Sequence, residues 1–187
     1  MREINNLLKI AVINGGNSPE ASVSRISAKG VIAALKENYK QVLGIELNAS
    51  LSLNLDQFSP DIVVPILHGP PGEDGTLQGY LEILSYPYLG SGVHASAVAM
   101  DKVVAKHIFA EAGLPLAKQI VINQSDNIPT VVEKIIRLLG NDVVVKPATQ
   151  GSTLGITLVS DANCLHNAII SALEFDNKVL IEERIFG

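Results

Sequence analysis

Residues 9–24, Lys-Ile-Ala-Val-Ile-Asn-Gly-Gly-Asn-Ser-Pro-Glu-Ala-Ser-Val-Ser, carry the chain from a short β-branched run through paired glycines into a helical pattern. Residues 9–14 read as a strand and 22–36 as a helix. In that helix Val23, Ile26, Gly30, Ala33 and Ala34 recur at spacings of three and four, which predicts one face buried against a sheet and leaves Ser24, Arg25 and Lys29 elsewhere. The alternation continues, with 42–47 and 61–67 reading as strands and 76–84 as a helix. Strands alternating with helices predict an α/β sandwich on a parallel sheet.

Asp101 reads as the N-cap of a helix running to Ala112, because Gly113 supplies a left-handed stop and Pro115 blocks continuation. A second domain starts there, dividing the chain into 1–100 and 101–187. Within it, 118–122 reads as a strand, Thr130 and Glu133 form a capping-box pattern opening a helix that stops at Gly140, and 143–146 is another strand. Residues 156–159, 163–174 and 179–182 complete a strand, helix, strand series. The polar segment 123–127 is the expected mobile loop.

The 187 residues, 47% hydrophobic and 18% charged, suffice for the cores of one large or two small domains. A net charge of −5, with 4% aromatic residues and no tryptophan, supplies neither the basic field nor the stacking surfaces of nucleic-acid recognition. No apolar run reaches the roughly 20 residues of a membrane helix. The start, Met1-Arg-Glu-Ile-Asn-Asn-Leu-Leu, lacks the apolar stretch of a secretory signal. The expectation is therefore a cytoplasmic protein without nucleic-acid or membrane partners. Cys164, the single cysteine, excludes an internal disulfide or cysteine-based zinc cluster and reads as a packed helical thiol. His68, His94, His107 and His166 show no His-x-x-x-His spacing, so no histidine metal site is expected.

Five segments carry candidate chemistry. The loop ending in Glu20 opens the first helix, where backbone N–H groups and the helix dipole favour an anionic group. Its adjacent glycines are not Gly-x-Gly-x-x-Gly, so a classical dinucleotide site is disfavoured. Glu20 is either a dipole-stabilised cap or a partner for a substrate ammonium. Leu67-His-Gly-Pro-Pro-Gly-Glu-Asp-Gly-Thr follows the third strand and emerges at the same sheet edge, placing His68 at a strand tip where it can donate to a carboxylate, while Glu73 and Asp74 are also candidate helix caps. Lys102 sits in a first helical turn, an unfavourable place for a cation unless it neutralises a bound phosphate. Residues 144–155, Val-Val-Lys-Pro-Ala-Thr-Gln-Gly-Ser-Thr-Leu-Gly, place Lys146 at a strand end before a loop whose Gly151, Ser152, Thr153 and Gly155 permit close approach of an anion. In 179–187 an apolar strand turns abruptly charged, and Glu182 and Glu183 are either partners of the lysines or solvated strand-end acids.

Two of these strings are long and ordered: His-Gly-x-x-Gly-Glu-Asp-Gly-x-x-Gln-Gly over 68–79, and Gly-Ser-Gly-x-x-Ala-Ser-x-x-x-Met-Asp-Lys over 90–102. With the Glu20 and Lys146 loops in the same order, the chain from Lys9 to Gly187 resembles the D-alanine–D-alanine ligases of the ATP-grasp superfamily. The resemblance implies an N-terminal parallel-sheet pre-ATP-grasp domain followed by the first α+β subdomain of an ATP-grasp fold. It implies that ATP phosphorylates the carboxylate of one D-alanine and that the amine of a second attacks the acyl phosphate, giving the dipeptide used in peptidoglycan. Carried over by motif, Glu20 engages the ammonium of the first D-alanine, Ser152 joins a catalytic hydrogen-bond network reaching Glu20, and His68 helps form the substrate pocket. Lys102 and Lys146 hold ATP phosphates under the 151–155 loop, with Gly151, Ser152 and Thr153 over them, while Glu182, Glu183 and Ile185 border the adenine. Magnesium is the implied metal, and a homodimer through the N-terminal domain the implied assembly.

The sequence departs from the family pattern in several places. Ala21 and Ser22 stand where an Arg-Glu pair is common, Pro70-Pro71 replaces Arg-Gly, Gln150 and Thr153 replace Glu and Ser, and Glu183 replaces a lysine. Family enzymes also carry a further segment with the other wall of the ATP cleft, the acidic and Asn magnesium ligands and a phosphoryl-stabilising arginine. None follows Gly187, so the 187-residue chain by itself is expected not to be a competent ligase. Two alternatives stand beside this reading: a non-catalytic nucleotide or amino-acid binding module, and an ATP-grasp carboxylate–amine ligase of different substrate specificity.

Overall fold

The computed structural model describes residues 6–186; residues 1–5, most of the segment read for a secretory signal, and Gly187, where the resemblance stops, lie outside them. The chain folds as two compact units, Met1–Ala97 and Val98–Gly187. No helix among the described residues is long and apolar enough to cross a membrane.

In unit 1, β1 (Lys9–Asn14), β2 (Gln41–Glu46) and β3 (Ile62–Pro65) form a parallel sheet in the order β2-β1-β3. Helices α1 (Ala21–Lys36), α2 (Leu51–Phe58) and α3 (Thr76–Ile83) complete the unit, and α4 (Val93–Met100) runs across the boundary. The central β1 is apolar from Ile10 to Ile13 because helices cover both its faces. Ile10 and Val12 pack with Ala28 of α1, whereas Ala11 and Ile13 pack with Leu51 and Leu55 of α2 and Leu77 and Leu81 of α3.

The buried face of α1 is not the predicted one. Ala21, Ser24 and Ala28 are buried and Val31, Ile32 and Leu35 are partly so, while Val23 is 49% and Ile26 71% exposed. Both sets repeat at helical spacing, and hydrogen bonding decides between them. Ser24 Oγ accepts from Gly15 N at 2.8 Å and donates to Ile66 O, so its hydroxyl enters the interior fully satisfied and serves two loops. Helix α2 was not expected, and α4 occupies eight residues of the segment 90–102 that carries the second ordered string.

Unit 2 contains α5 (Lys102–Glu111), β4 (Gln119–Asn123), α6 (Ile128–Leu139), β5 (Val143–Pro147), β6 (Thr157–Val159), α7 (Ala162–Leu173) and β7 (Lys178–Glu183). Its antiparallel sheet runs β4-β7-β5-β6. Alternation sends Val143, Val145, Val179 and Ile181 into a core with Ile135 of α6 and Leu165, Ala168, Ile169 and Ala172 of α7. The intervening Leu180 faces the other way, packing with Val103 of α5 and Ala148.

Asp101 caps α5 as expected, accepting from Val103 N at 2.9 Å and Val104 N at 3.2 Å. Helix α6, however, is capped by Asn127 rather than Thr130. Asn127 Oδ1 accepts from Thr130 N at 3.1 Å, with Pro129 in the first turn, so the capping-box reading misplaced the start by one turn. The segment read as a mobile loop is a turn in which Asn123 N donates to Asp126 Oδ2 at 2.8 Å and Gln124 N to Asn177 O at 2.9 Å. Cys164 is helical but exposed, because the buried stripe of α7 begins one residue later at Leu165.

Candidate functional site

The strand order of unit 1 reverses between β1 and β3, and open α/β sheets bind ligands at the carboxyl ends of strands beside such a reversal. The loops after β1 and β3 carry Glu20 and His68, and the fold joins them directly. Ser18 Oγ donates to His68 O at 2.9 Å. Gly69 has φ +68°, and a Cβ there would lie 3.3 Å from Glu20 Oε2, so the carboxylate lies against the second loop. Glu20 occupies the N-cap position of α1, but its side chain does not cap the helix.

Two backbone donors expected to be open to an anion are engaged by the protein: Gly15 N by Ser24, and Gly16 N by Glu46 Oε1 at 3.2 Å. Arg25 holds Glu46 from the other side, Nη2 to Oε1 at 2.5 Å. Glu73 Oε2 accepts from Gly69 N at 2.6 Å and Asp74 Oδ1 from Thr76 N at 3.0 Å, so these acids shape the loop and the start of α3. Buried Gln78 donates to Gly72 O at 2.9 Å. His68 Nε2 is shielded from solvent and has no hydrogen-bond partner among the described residues. Such groups are uncommon in folded proteins, and this residue lines, with Ser18, Gly69 and Pro70, a narrow crevice with no room for a water molecule.

In unit 2 the second face of the sheet gathers charge. Lys146 pairs in register with Leu180, and Glu182 lies two residues farther along the same face of β7, a diagonal neighbour. Glu182 Oε2 accepts from Lys146 Nζ, and Glu182 Oε1 from Lys106 Nζ of α5. Burial pushes Glu182 upward, but the hydrogen bonds and charges of Lys106 and Lys146 outweigh it and hold the carboxyl below its ordinary range. Lys102 donates to Gln150 O at 2.5 Å and Ala148 O at 3.4 Å. Its pKa is lowered, first by burial and then by the charge of Lys146. Two neighbouring ammonium groups with this electrostatic cost favour a polyanion.

The loop that follows β5 is anchored at its base, where Thr149 N and Oγ1 donate to Asp176 Oδ2 at 2.7 and 2.8 Å. Ser152 and Thr153 adopt φ +46° and +61°, a left-handed conformation uncommon for residues with side chains and concentrated at ligand sites. Gly155 is obligatory: at φ +68°, a Cβ would come within 2.7 Å of Pro147 Cγ and 2.8 Å of Phe175 Cδ2. Glu183 accepts from Lys118 N at 2.9 Å, so it serves β4 rather than the Lys146 cluster, and Ile185 is 70% exposed.

The structure thus brings Glu20 together with the His68 loop in unit 1, and Lys102 with Lys146, Glu182 and the base of the 151–155 loop in unit 2. Sequence reading missed Lys106 and Ser24. The signal for Lys106 was its place four residues after Lys102, where two like charges share a helix face and need compensation.

Comparison with known proteins gives a consistent family. The profile described as D-ala D-ala ligase N-terminus matches residues 45–91, and that described as D-ala D-ala ligase C-terminus matches 108–187. The D-alanine–D-alanine ligase of Moorella thermoacetica is 41% identical over 183 residues, covering 96% of this chain and 59% of the relative. The crystal structure of the Bacillus anthracis D-alanine–D-alanine ligase superposes with TM-score 0.86 at 35% identity, covering 96% of this chain and 58% of that one. A structure of the B. anthracis enzyme complexed with ATP gives TM-score 0.82 at 34% identity, with coverage of 96% and 60%. The chain spans about three-fifths of the length of the curated relatives it matches. On motif order, fold and sequence alike, it belongs to the D-alanine–D-alanine ligase family.

Proposed function

We propose that this chain is the amino-acid-binding and phosphate-binding part of an ATP-dependent D-alanine–D-alanine ligase. The observation that carries the reading is Lys102, partly buried beside Lys146 and donating to Gln150 O at the base of a loop whose Ser152 and Thr153 already hold a left-handed, ligand-site conformation. Unit 1 receives the amino acid: Glu20 takes the ammonium of the first D-alanine, and His68 Nε2 donates into the substrate pocket. Lys102 and Lys146 neutralise the phosphates, lowering the repulsion met by the carboxylate as it attacks the terminal phosphoryl group. ADP leaves, the amine of the second D-alanine attacks the acyl phosphate, and phosphate departs as the amide forms. Ser152 belongs to the network that orders the first D-alanine, the backbone at Glu182, Glu183 and Ile185 borders the adenine, and the homodimer forms through unit 1. Magnesium supplies charge neutralisation in such transfers. No group of three or more His, Cys, Asp or Glu side chains able to hold a metal occurs among the described residues.

Titration calorimetry with ATP tests the nucleotide half: Lys146→Ala should abolish the heat shown by the parent chain, and a folded parent giving no heat at millimolar ATP overturns it. ATP-dependent phosphate release with D-alanine, in this chain and in one extended beyond Gly187, tests the ligase. Use of a different acid and amine by the extended protein would favour another specificity, a reading encouraged by Pro70 at the cleft.

A further inference from the structure

The functional reading uses Lys102, Lys146 and Glu182 but leaves Lys106 without a task. Lys106 is not a surface cation. Its side chain is 11% exposed, against 22% for Lys146, and besides Glu182 Oε1 it donates to Ala117 O at 3.3 Å, just ahead of β4. It is therefore held at two protein acceptors inside the unit. Glu182 is equally enclosed, at 11%, and divides its two oxygens between the two lysines. A buried carboxylate left with no cationic partner is strongly unfavourable. If Glu182 depended on Lys146 alone, any phosphate drawing Lys146 away would strand that carboxylate, and the nucleotide would bear the cost.

We propose that Lys106 is a positioning residue that holds Glu182 permanently and so leaves Lys146 free to exchange that carboxylate for a nucleotide phosphate. The geometry suits a division of labour. The more enclosed lysine makes the fixed bond, and the more exposed one makes the exchangeable bond. Lys102 and Lys106 stand one helical turn apart on α5, an unfavourable pairing for a helix that is compensated when Glu182 neutralises the second and a phosphate the first. This inference rests on the nucleotide reading above, and its test separates the two.

ATP is titrated calorimetrically into the 187-residue parent, Lys106→Met, Lys106→Arg, Glu182→Gln and the double variant Lys106→Met/Glu182→Gln, each checked for cooperative unfolding. Lys106→Met should weaken ATP about tenfold or more, because the buried carboxylate now retains Lys146. Lys106→Arg should stay within about threefold, since a guanidinium still pairs with Glu182. Adding Glu182→Gln to Lys106→Met should recover most of the loss, a rescue that general structural damage does not produce. An unchanged Kd in Lys106→Met overturns the proposal. So does a loss that Glu182→Gln fails to recover, which would make Lys106 a direct phosphate ligand. If Lys106→Met does not fold, the double variant is compared with Glu182→Gln alone: equal affinities are expected, and a further drop of about tenfold overturns the idea. A folded parent that ignores ATP removes the nucleotide reading and this inference together, whereas ATP binding lost in Lys146→Ala but kept in Lys106→Met removes only the latter.

Discussion

Ser24→Ala removes one oxygen from the interior of unit 1, and its cost follows from what that oxygen holds. The hydroxyl accepts from Gly15 N and donates to Ile66 O, fastening the loop after β1 to the chain leaving β3, and Ser24 is fully buried. Alanine fits the space but leaves a buried N–H and a carbonyl without this partner. Each lost hydrogen bond is worth about 0.5–1.5 kcal/mol, and each dry, unsatisfied group costs about 1–3 kcal/mol. The expected destabilisation is about 2–3 kcal/mol, which for a unit of this size lowers Tm by roughly 10–20 °C. The assay has a built-in reporter: the four tyrosines of the sequence, Tyr39, Tyr80, Tyr86 and Tyr88, all lie in unit 1 and there is no tryptophan, so tyrosine fluorescence during urea unfolding follows that unit. Val23→Ser, on the half-exposed side of α1, is the control and should change stability by less than about 0.5 kcal/mol. A Ser24→Ala loss below about 0.5 kcal/mol, or a Val23→Ser loss exceeding it, would refute the assignment of the α1 faces.

Other outcomes are equally specific. Gly155→Ala forces a side chain into Pro147 and Phe175 at a left-handed φ, so it should destabilise unit 2 by about 1–3 kcal/mol and weaken ATP binding, read by denaturant unfolding and calorimetry. Asp101→Ala removes the cap of α5 and the 2.6 Å pair with Lys178, costing about 1–2 kcal/mol, whereas Asp101→Asn keeps the cap and should cost less. The carboxyls of Asp101 and Glu182 both titrate below their ordinary values: burial opposes this, but the ion pairs with Lys178 for Asp101 and with Lys106 and Lys146 for Glu182 prevail. The unfolded chain therefore takes up protons first, so their contribution is complete at neutral pH and is lost as pH falls below about 4 through the folded values. Urea midpoints measured from pH 7 to pH 3 should fall along that course, and less steeply in Glu182→Gln.

The fold was legible where one physical signal dominated. The β-branched run at 9–14, the cap at Asp101 with its stop at Gly113, and the second β-branched run at 143–146 each admit one reading, and each element lies within a residue or two of it. Reading failed where two signals of equal strength competed. Helix α1 has apolar residues on one face and small residues with a bonding serine on another, and only the positions of Gly15 and Ile66 decide which turns inward. Thr130-x-x-Glu133 resembles a cap as closely as Asn127 with Pro129 does, and the choice needs the backbone. At the site, Lys102, Lys146, Glu20 and His68 were visible because each stands beside a glycine loop or at a helix start. Lys106 was passed over although its place four residues after Lys102 signals a like charge in need of compensation, because the compensating carboxylate lies 76 residues away and no local pattern names it.

The position of β7 carries a consequence for how the second unit is made. Synthesis releases β4, β5 and β6 before Lys178–Glu183, yet β7 is the strand inserted between β4 and β5. Until those six residues emerge from the ribosome, β5 and β6 can close as a hairpin, but β4 has no neighbour in the sheet and Lys106 has no carboxylate to meet. The charged cluster and the sheet therefore mature in one late event, with apolar faces uncovered beforehand. Long-range strand insertion of this kind is slow and leaves apolar surface exposed until it completes, so aggregation competes with folding of this unit throughout that interval.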